Sequence, residues 1–227
     1  MDTILELKNI SLIAKDKIIL KNINWEVPKG ALIAILGESG SGKSTLLGVI
    51  DGWEEPDKGQ VLMTIGGTQV DITDVSTNER DICLMPPNYE LFINKDARKN
   101  IAFGLINKGL NVGEVDAQVM KLIEELELKG YEYRFLKDLS SGQQQRIAFA
   151  RSIIGKPSIL LLDEPFSALN DRLRVIIQNI IKRYQEQYGI TVIYTTHNKK
   201  AAREFSDEVL TMEGGELNGK STKNDDN

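Results

Sequence analysis

The sequence predicts an α/β fold: a mostly parallel sheet flanked by helices, with an N-terminal antiparallel β lobe and an inserted helical lobe. Three observations carry this. Short apolar runs at 31–36, 158–162 and 191–195 alternate with segments of helical period, the pattern of parallel strands buried on both faces. Residues 1–30 instead alternate apolar and polar (Ile4, Leu5, Leu7; Ile18, Leu20; Ile23, Trp25, Val27), as short antiparallel strands do. The stretch 91–157 has helical periods and no clear strand.

Taken in order, the run 31–36 ends in Gly37 and reads as a buried strand, followed by a helix from Lys43 to about Ile50. Residues 61–63 and 82–85 are further strand candidates. Over 112–128, Val115, Val119, Leu122, Ile123 and Leu126 share one helical face. A second helix is expected from near Gly142 to Ile154, where Gly155 and Pro157 stop it. The strand 158–162 follows, then a helix over 173–184 with Ile176, Ile177, Ile180 and Ile181 as its stripe. The strand 191–195, a short helix and a last strand near 208–212 complete the series. The chain of 227 residues reads as one domain over 1–219, with its helical lobe at about 91–157 and a disordered polar tail at 220–227.

Composition excludes several classes. A net charge of −5 gives no non-specific field for nucleic acid. No apolar run approaches the roughly 20 residues that cross a bilayer, and the N-terminus lacks a signal-peptide layout. One cysteine, Cys83, leaves no intramolecular disulfide or metal-site spacing and reads as a small buried hydrophobe. A cytoplasmic chain is expected, reaching a membrane only through a partner.

Gly37-Glu38-Ser39-Gly40-Ser41-Gly42-Lys43-Ser44, followed by Thr45, fits GxxxxGK[ST] between a strand and a helix. Glycines let successive N–H groups curl around phosphate, and the helix N-terminus adds positive field. Lys43 would reach the β- and γ-phosphates, and the Ser44 hydroxyl would ligate Mg²⁺. The strand ILLL ends in Asp163-Glu164, placing carboxylates at a strand's C-terminal edge, where α/β folds bind ligands. Asp163 is expected in the Mg²⁺ shell and Glu164 beside the attacking water. Between them lies LSSGQQQR (139–146), where a Ser-Gly pair at a helix start offers a hydroxyl and free N–H groups to an anion. His197 alone reads as a structural histidine; its place at the end of TVIYTTH, one helix after the acidic strand, favours a ligand contact.

Together these segments resemble the ATP-binding-cassette (ABC) family of transporter ATPases, over nearly the whole chain. The resemblance implies a P-loop NTPase (RecA-like) core that binds and hydrolyses ATP with Mg²⁺. Ser140-Ser141-Gly142-Gln143 resembles the family signature, usually LSGGQ, with Ser141 at a glycine position. It implies a head-to-tail pair in which one chain's signature closes on the nucleotide held by the other. The partner chain is a second copy or a homologous ATPase subunit. Ser167-Ala168-Leu169-Asn170 is similar to the D-loop, usually SALD. Thr196-His197-Asn198 is similar to the switch segment, usually THD, implying that His197 contacts the γ-phosphate. Glu79-Arg80-Asp81 and the NIAFGL run resemble importer ATPases for sugars, polyamines, ferric iron, sulfate or molybdate. These imply integral-membrane permease subunits and a solute-binding protein, no nucleic acid, and a peripheral place on the inner face of the cell membrane. The C-terminal regulatory domain of many such proteins is expected to be absent. An ABC-type nucleotide switch, or a non-transport ABC ATPase with low intrinsic hydrolysis, is the alternative.

Two departures carry expectations. Registered between Arg80 and Asn100, Pro87 falls where the family has a glutamine that touches Mg²⁺ and water; proline has no amide to offer. Slower or more partner-dependent hydrolysis follows, with Asn88 as the candidate substitute. Ala14 falls at the family's adenine-stacking aromatic and cannot stack. Tyr89, Leu91 and Phe92 read equally as core or as part of a groove for a short permease helix.

Overall fold

The computed structural model describes residues 2–105 and 108–222. Strands β1 (Thr3–Ala14) and β2 (Lys17–Pro28) form a long hairpin. Its two-residue turn puts Lys15 and Asp16 at φ 49° and 61°, the left-handed pair that a tight twisted hairpin requires. β3 (Leu32–Leu36) leads into α1 (Lys43–Asp51). β4 (Lys58–Ile65) and β5 (Thr68–Asp71) return to the hairpin, giving an antiparallel sheet of order β2-β1-β4-β5.

β6 (Ile82–Met85) opens the second half, followed by α2 (Ala97–Ala102), α3 (Val112–Glu125) and α4 (Ser141–Ile154), which pack on one another as the helical lobe. β7 (Ile159–Leu162), α5 (Asp171–Tyr188), β8 (Thr191–Thr196), α6 (Lys199–Phe205), β9 (Glu208–Glu213) and β10 (Glu216–Thr222) complete the chain. The second sheet has the order β10-β9-β3-β8-β7-β6, parallel except for the β9–β10 pair.

The apolar strands are buried on both faces, and the period of two sorts them. Leu32 and Ala34, Leu160 and Leu162, Val192 and Tyr194 face one core, shared with the helical lobe. Ile33 and Ile35, Ile159 and Leu161, and Ile193 face a second core, closed by the antiparallel sheet and α1. Each fully buried aliphatic side chain contributes about 1.5–3 kcal/mol, and a one-residue slip of a central strand would exchange its side chains between the two cores.

The expected strands and helices are present, with three additions: β5, α2 and β10. β10 runs through Thr222, into the stretch expected as a polar tail; residues 223–227 lie outside the described residues. Among the described residues no helix is long and apolar enough to cross a membrane.

Candidate nucleotide-binding site

The carboxyl ends of β3, β7 and β8 carry the sequence-predicted residues to one crevice of about 690 Å³. Gly37, Lys43, Ser44, Asp163, Glu164 and His197 all line it. In the loop after β3, Gly40 and Gly42 lie at φ 78° and 106°. A Cβ on Gly42 would come within 2.8 Å of the Ile19 carbonyl, and one on Gly37 within 2.4 Å of the Met212 carbonyl. The loop is therefore drawn tight against β2 and β9, as a cradle of backbone N–H groups requires. Lys43 is buried, and its Nζ donates to the carbonyls of Gly37 (2.8 Å) and Glu38 (2.9 Å). Its charge is thus fixed over the mouth of the loop.

Asp163 is buried at the end of β7. Thr195 on β8 donates its hydroxyl to Asp163 Oδ1 (2.6 Å), and its oxygen accepts the Glu164 N–H (2.9 Å). One threonine thus orients both acids. Glu164 sits at φ 50°, a costly backbone state for a side-chain-bearing residue. Its carbonyl accepts bonds from Gln145 Nε2 (3.3 Å) and Ser167 Oγ (3.1 Å). The Glu164 carboxylate stays at the crevice, 3.3 Å from His197 Nδ1. The Ser44 hydroxyl and the Asp163 carboxylate are hard oxygen donors of the kind Mg²⁺ takes.

Ser140 to Gln143 lie elsewhere. They form the N-terminus of α4, and none of them lines this crevice. Ser140 Oγ accepts the Gln143 N–H and Gln143 Oε1 accepts the Ser140 N–H, a reciprocal capping box. The box leaves the N–H groups of Ser141 and Gly142 and the Ser140 hydroxyl proton to face outward. Where the family usually has aspartate, Asn170 and Asn198 serve as N-caps of α5 and α6.

Pro87 lines the crevice, as its register predicts. Just beyond it, Tyr89 and Glu90 have φ 64° and 42°. The Arg151 guanidinium holds this strained pair by donating to both carbonyls, at 2.7 and 2.8 Å. Tyr89 and Leu91 pack against the core, and Phe92 stacks on Phe103 at 4.5 Å. The groove beside them is lined instead by Pro86, Pro87, Asn88 and Glu90. Tyr89, Leu91 and Phe92 are thus half-buried, with the first two packed against the core and their polar neighbours Asn88 and Glu90 exposed.

Sequence reasoning missed Thr195 and Gln145, and also Lys17 and Ile19, whose side chains line the crevice near the hairpin. Ala14 itself lies exposed at the hairpin end. Cys83 packs beside β6 neighbours, and burial pushes its thiol up to about 11.

Asp51, at the end of α1, was not anticipated. It is 5% exposed, and burial raises its carboxyl from an ordinary 3.8 to about 7, against the opposing charge of Arg80. The folded carboxyl holds its proton more tightly than the unfolded one. Its stabilising contribution is therefore complete below about pH 4 and withdrawn as the pH rises toward about 7. Asp51→Asn removes that loss. It is expected to stabilise the chain by up to about 4 kcal/mol at pH 8, and by much less at pH 5, in urea unfolding. An equal effect at both pH values would contradict the assignment.

A glycine-rich loop between strand and helix, facing a buried aspartate on a nearby parallel strand, defines a P-loop nucleotide-binding domain. The model of the ABC transporter family matches residues 20–167, and the chain belongs to that family. It is 38% identical over 224 residues to the spermidine/putrescine import ATP-binding protein PotA of Acetivibrio thermocellus, covering 99% of this chain and 62% of PotA. It is 38% identical over 212 residues to the Fe(3+) ions import ATP-binding protein FbpC of Escherichia coli K12, covering 93% of this chain and 60% of FbpC. The chain thus spans about three fifths of the length of these relatives. Among solved structures, the dimeric MJ0796, a bacterial ABC transporter cassette, superposes with a TM-score of 0.87 at 28% identity, covering 96% of this chain and 98% of that one. A post-hydrolysis dimer of MJ0796 bound to ADP and Pi gives 0.86.

Proposed function

We propose that this chain is the ATP-binding and hydrolysing subunit of an ABC importer. The observation that carries the reading is the Asp163–Thr195–Glu164 network facing the P-loop, with His197 beside Glu164. The 38% identity to two import ATP-binding proteins supports the direction of transport. The N–H groups of the loop and Lys43 would hold the phosphates. Ser44 and Asp163 would hold Mg²⁺, whose charge would offset that of the phosphate oxygens. Glu164 would orient and deprotonate the attacking water. His197 would sense the γ-phosphate.

The signature lies outside the crevice, so a second chain is required to complete it: the outward N–H groups of Ser141 and Gly142 would meet the γ-phosphate held by the partner. ATP would close the pair and hydrolysis would reopen it, because ATP stabilises the closed state more than ADP does. Membrane permease subunits, with a solute-binding protein, would use that motion. The chain would then sit on the cytoplasmic face through those permeases. Copurification with an integral-membrane permease that raises the ATPase rate is the expected result. ATP turnover indifferent to every membrane partner would contradict the importer reading.

Two departures give further expectations. Pro87→Gln supplies an amide at the crevice and is expected to raise the basal ATPase rate several-fold, on the order of 1 kcal/mol of barrier. Unchanged basal and permease-coupled rates would remove Pro87 from the account. With Lys17 and Ile19 rather than an aromatic ring near the hairpin, base discrimination should be weak. GTP is expected to compete with ATP within about a factor of ten; strict ATP preference would contradict this.

A further inference from the structure

The first turns of α4 carry four consecutive polar side chains, 143–146, and three of them serve the helical lobe itself. Gln143 Oε1 accepts the Ser140 N–H. Gln144 donates to the carbonyls of Leu136 and Leu139, at 2.9 and 3.2 Å. Arg146 donates to those of Leu126, Glu127 and Gly142, at 2.6–3.2 Å. Gln145 instead leaves the lobe. Its side chain is fully buried and crosses to the turn after β7, where Nε2 lies 3.3 Å from the Glu164 carbonyl oxygen and 3.5 Å from Ser167 Oγ. A carbonyl can only accept, so the amide nitrogen is the end that faces Glu164.

A buried glutamine kept for stability has both ends bonded. Oε1 of Gln145 is buried without a hydrogen-bond partner among the described residues, which is destabilising. Its two Nε2 contacts are longer than the roughly 2.9–3.0 Å of a settled N–H···O bond. An amide held loosely at one end and unbonded at the other suits a contact that tightens when one side moves. The two sides are the base and the signature. Glu164 sits at φ 50°, a backbone state that persists only where neighbours enforce it: Thr195 accepts its N–H, and Gln145 and Ser167 donate to its carbonyl. Gln145 in turn stands three and four residues after Gly142 and Ser141, on one face of one helix. That face abuts the same turn, since a Cβ on Gly142 would lie 3.4 Å from the Ala168 carbonyl. The capping box and Arg146 fasten the start of α4, so a push at its N-terminus reaches Gln145 undiminished.

We infer that Gln145 is a positioning residue for ATP hydrolysis: it passes the arrival of the partner-held γ-phosphate at the N-terminus of α4 to the Glu164 peptide, and so aims the carboxylate at the water only when two chains have closed. The inference rests on the roles proposed above for Glu164 and the signature, and adds the connection between them inside one chain. Gln145 does not line the crevice, so it acts through Glu164 and not on the nucleotide. An advance of α4 by a few tenths of an ångström toward the turn brings both Nε2 contacts to their optimum. Without the amide, Glu164 keeps its bond to Thr195 and loses its link to the signature. Hydrolysis is then no longer tied to closure of the pair.

The test uses the full chain and Gln145→Met, which keeps the length of the side chain, removes the donor together with the orphaned oxygen, and should fold about as well. The kcat is expected to fall about tenfold, while KM for ATP and the ATP-dependent dimer, read by light scattering, stay unchanged. In a Glu164→Gln background the same substitution is expected to alter the residual single-turnover rate less than about twofold, because no base is left to position. An unchanged kcat overturns the inference, as does a tenfold loss repeated in the Glu164→Gln background. Loss of the dimer, or a melting temperature lowered by about 5 °C or more, also overturns it and makes Gln145 a structural residue. If Glu164→Gln itself leaves turnover intact, the reading of Glu164 fails and this inference with it. If Glu164→Gln stops turnover and Gln145→Met does not, only the connection through Gln145 fails.

Discussion

Glu164→Gln is expected to lower ATP turnover roughly 10²- to 10⁴-fold while leaving ATP binding in place. The geometry argues for a loss in kcat and not in KM. The Glu164 backbone is fixed at φ 50° by its N–H bond to Thr195 and the bonds to its carbonyl. Glutamine is isosteric, so those bonds persist and the crevice keeps its shape. What changes is the carboxylate proposed to accept a proton from the attacking water. His197 Nδ1 lies 3.3 Å from this carboxylate and its side chain is largely exposed. The variant should accumulate an ATP-bound dimer visible by light scattering. Turnover within a factor of about three of wild type would remove Glu164 from the chemistry. It would also favour the alternative, a nucleotide switch with negligible hydrolysis.

Arg80→Met is expected to cost about 3–5 kcal/mol of stability, a large part of the 5–15 kcal/mol that holds a typical domain. Arg80 is 8% exposed, and its guanidinium joins α1 to the segment after β5 through four carbonyls. It also lies against Gly52, at φ 89°, where a Cβ would come within 2.6 Å of Arg80 Cζ. Methionine keeps the volume of the stem and loses every donor. It leaves buried carbonyls unsatisfied and removes the charge that opposes the Asp51 penalty. A drop in melting temperature of about 10 °C or more is expected for a chain of this size. A shift of a few degrees would mean that water replaces the fork. Arg80→Lys should recover little, because a lysine reaches one or two of the four carbonyls.

The parts of the site legible in the sequence are those whose partners are adjacent in the chain. The loop from Gly37 to Thr45, the pair Asp163-Glu164 and the Ser-Gly helix start in LSSGQQQR each form within one turn or one strand end, so local pattern reveals them. The central strands were legible for a related reason: burial on both faces makes them continuous apolar runs. What was hidden depends on distant contacts. Thr195 orients Asp163 across 32 positions of chain, and Arg151 holds Tyr89 and Glu90 from 62 and 61 positions away; no local pattern marks a threonine or an arginine for such work. α2 and β5 are too short for a period to show. β10, with Leu217 as its main apolar residue, reads as polar tail until its pairing with β9 is seen. Asp51 carries no local mark in the sequence, and only the fold shows that it is buried.

The central claim is that each catalytic site is shared between two chains, and a mixing experiment tests it most directly. Lys43→Ala disables the P-loop and leaves the signature. Gly142→Asp disables the signature, placing a negative charge where the γ-phosphate should arrive. Its own fold should tolerate the change, since the nearest atom to a Cβ there is the Ala168 carbonyl at 3.4 Å and a helix N-terminus accepts an acid. Each variant alone should be nearly inactive. Mixed in equal amounts they should form heterodimers in which one intact P-loop faces one intact signature, restoring about a quarter of wild-type turnover. A mixture no more active than the sum of its two parts would contradict the shared site.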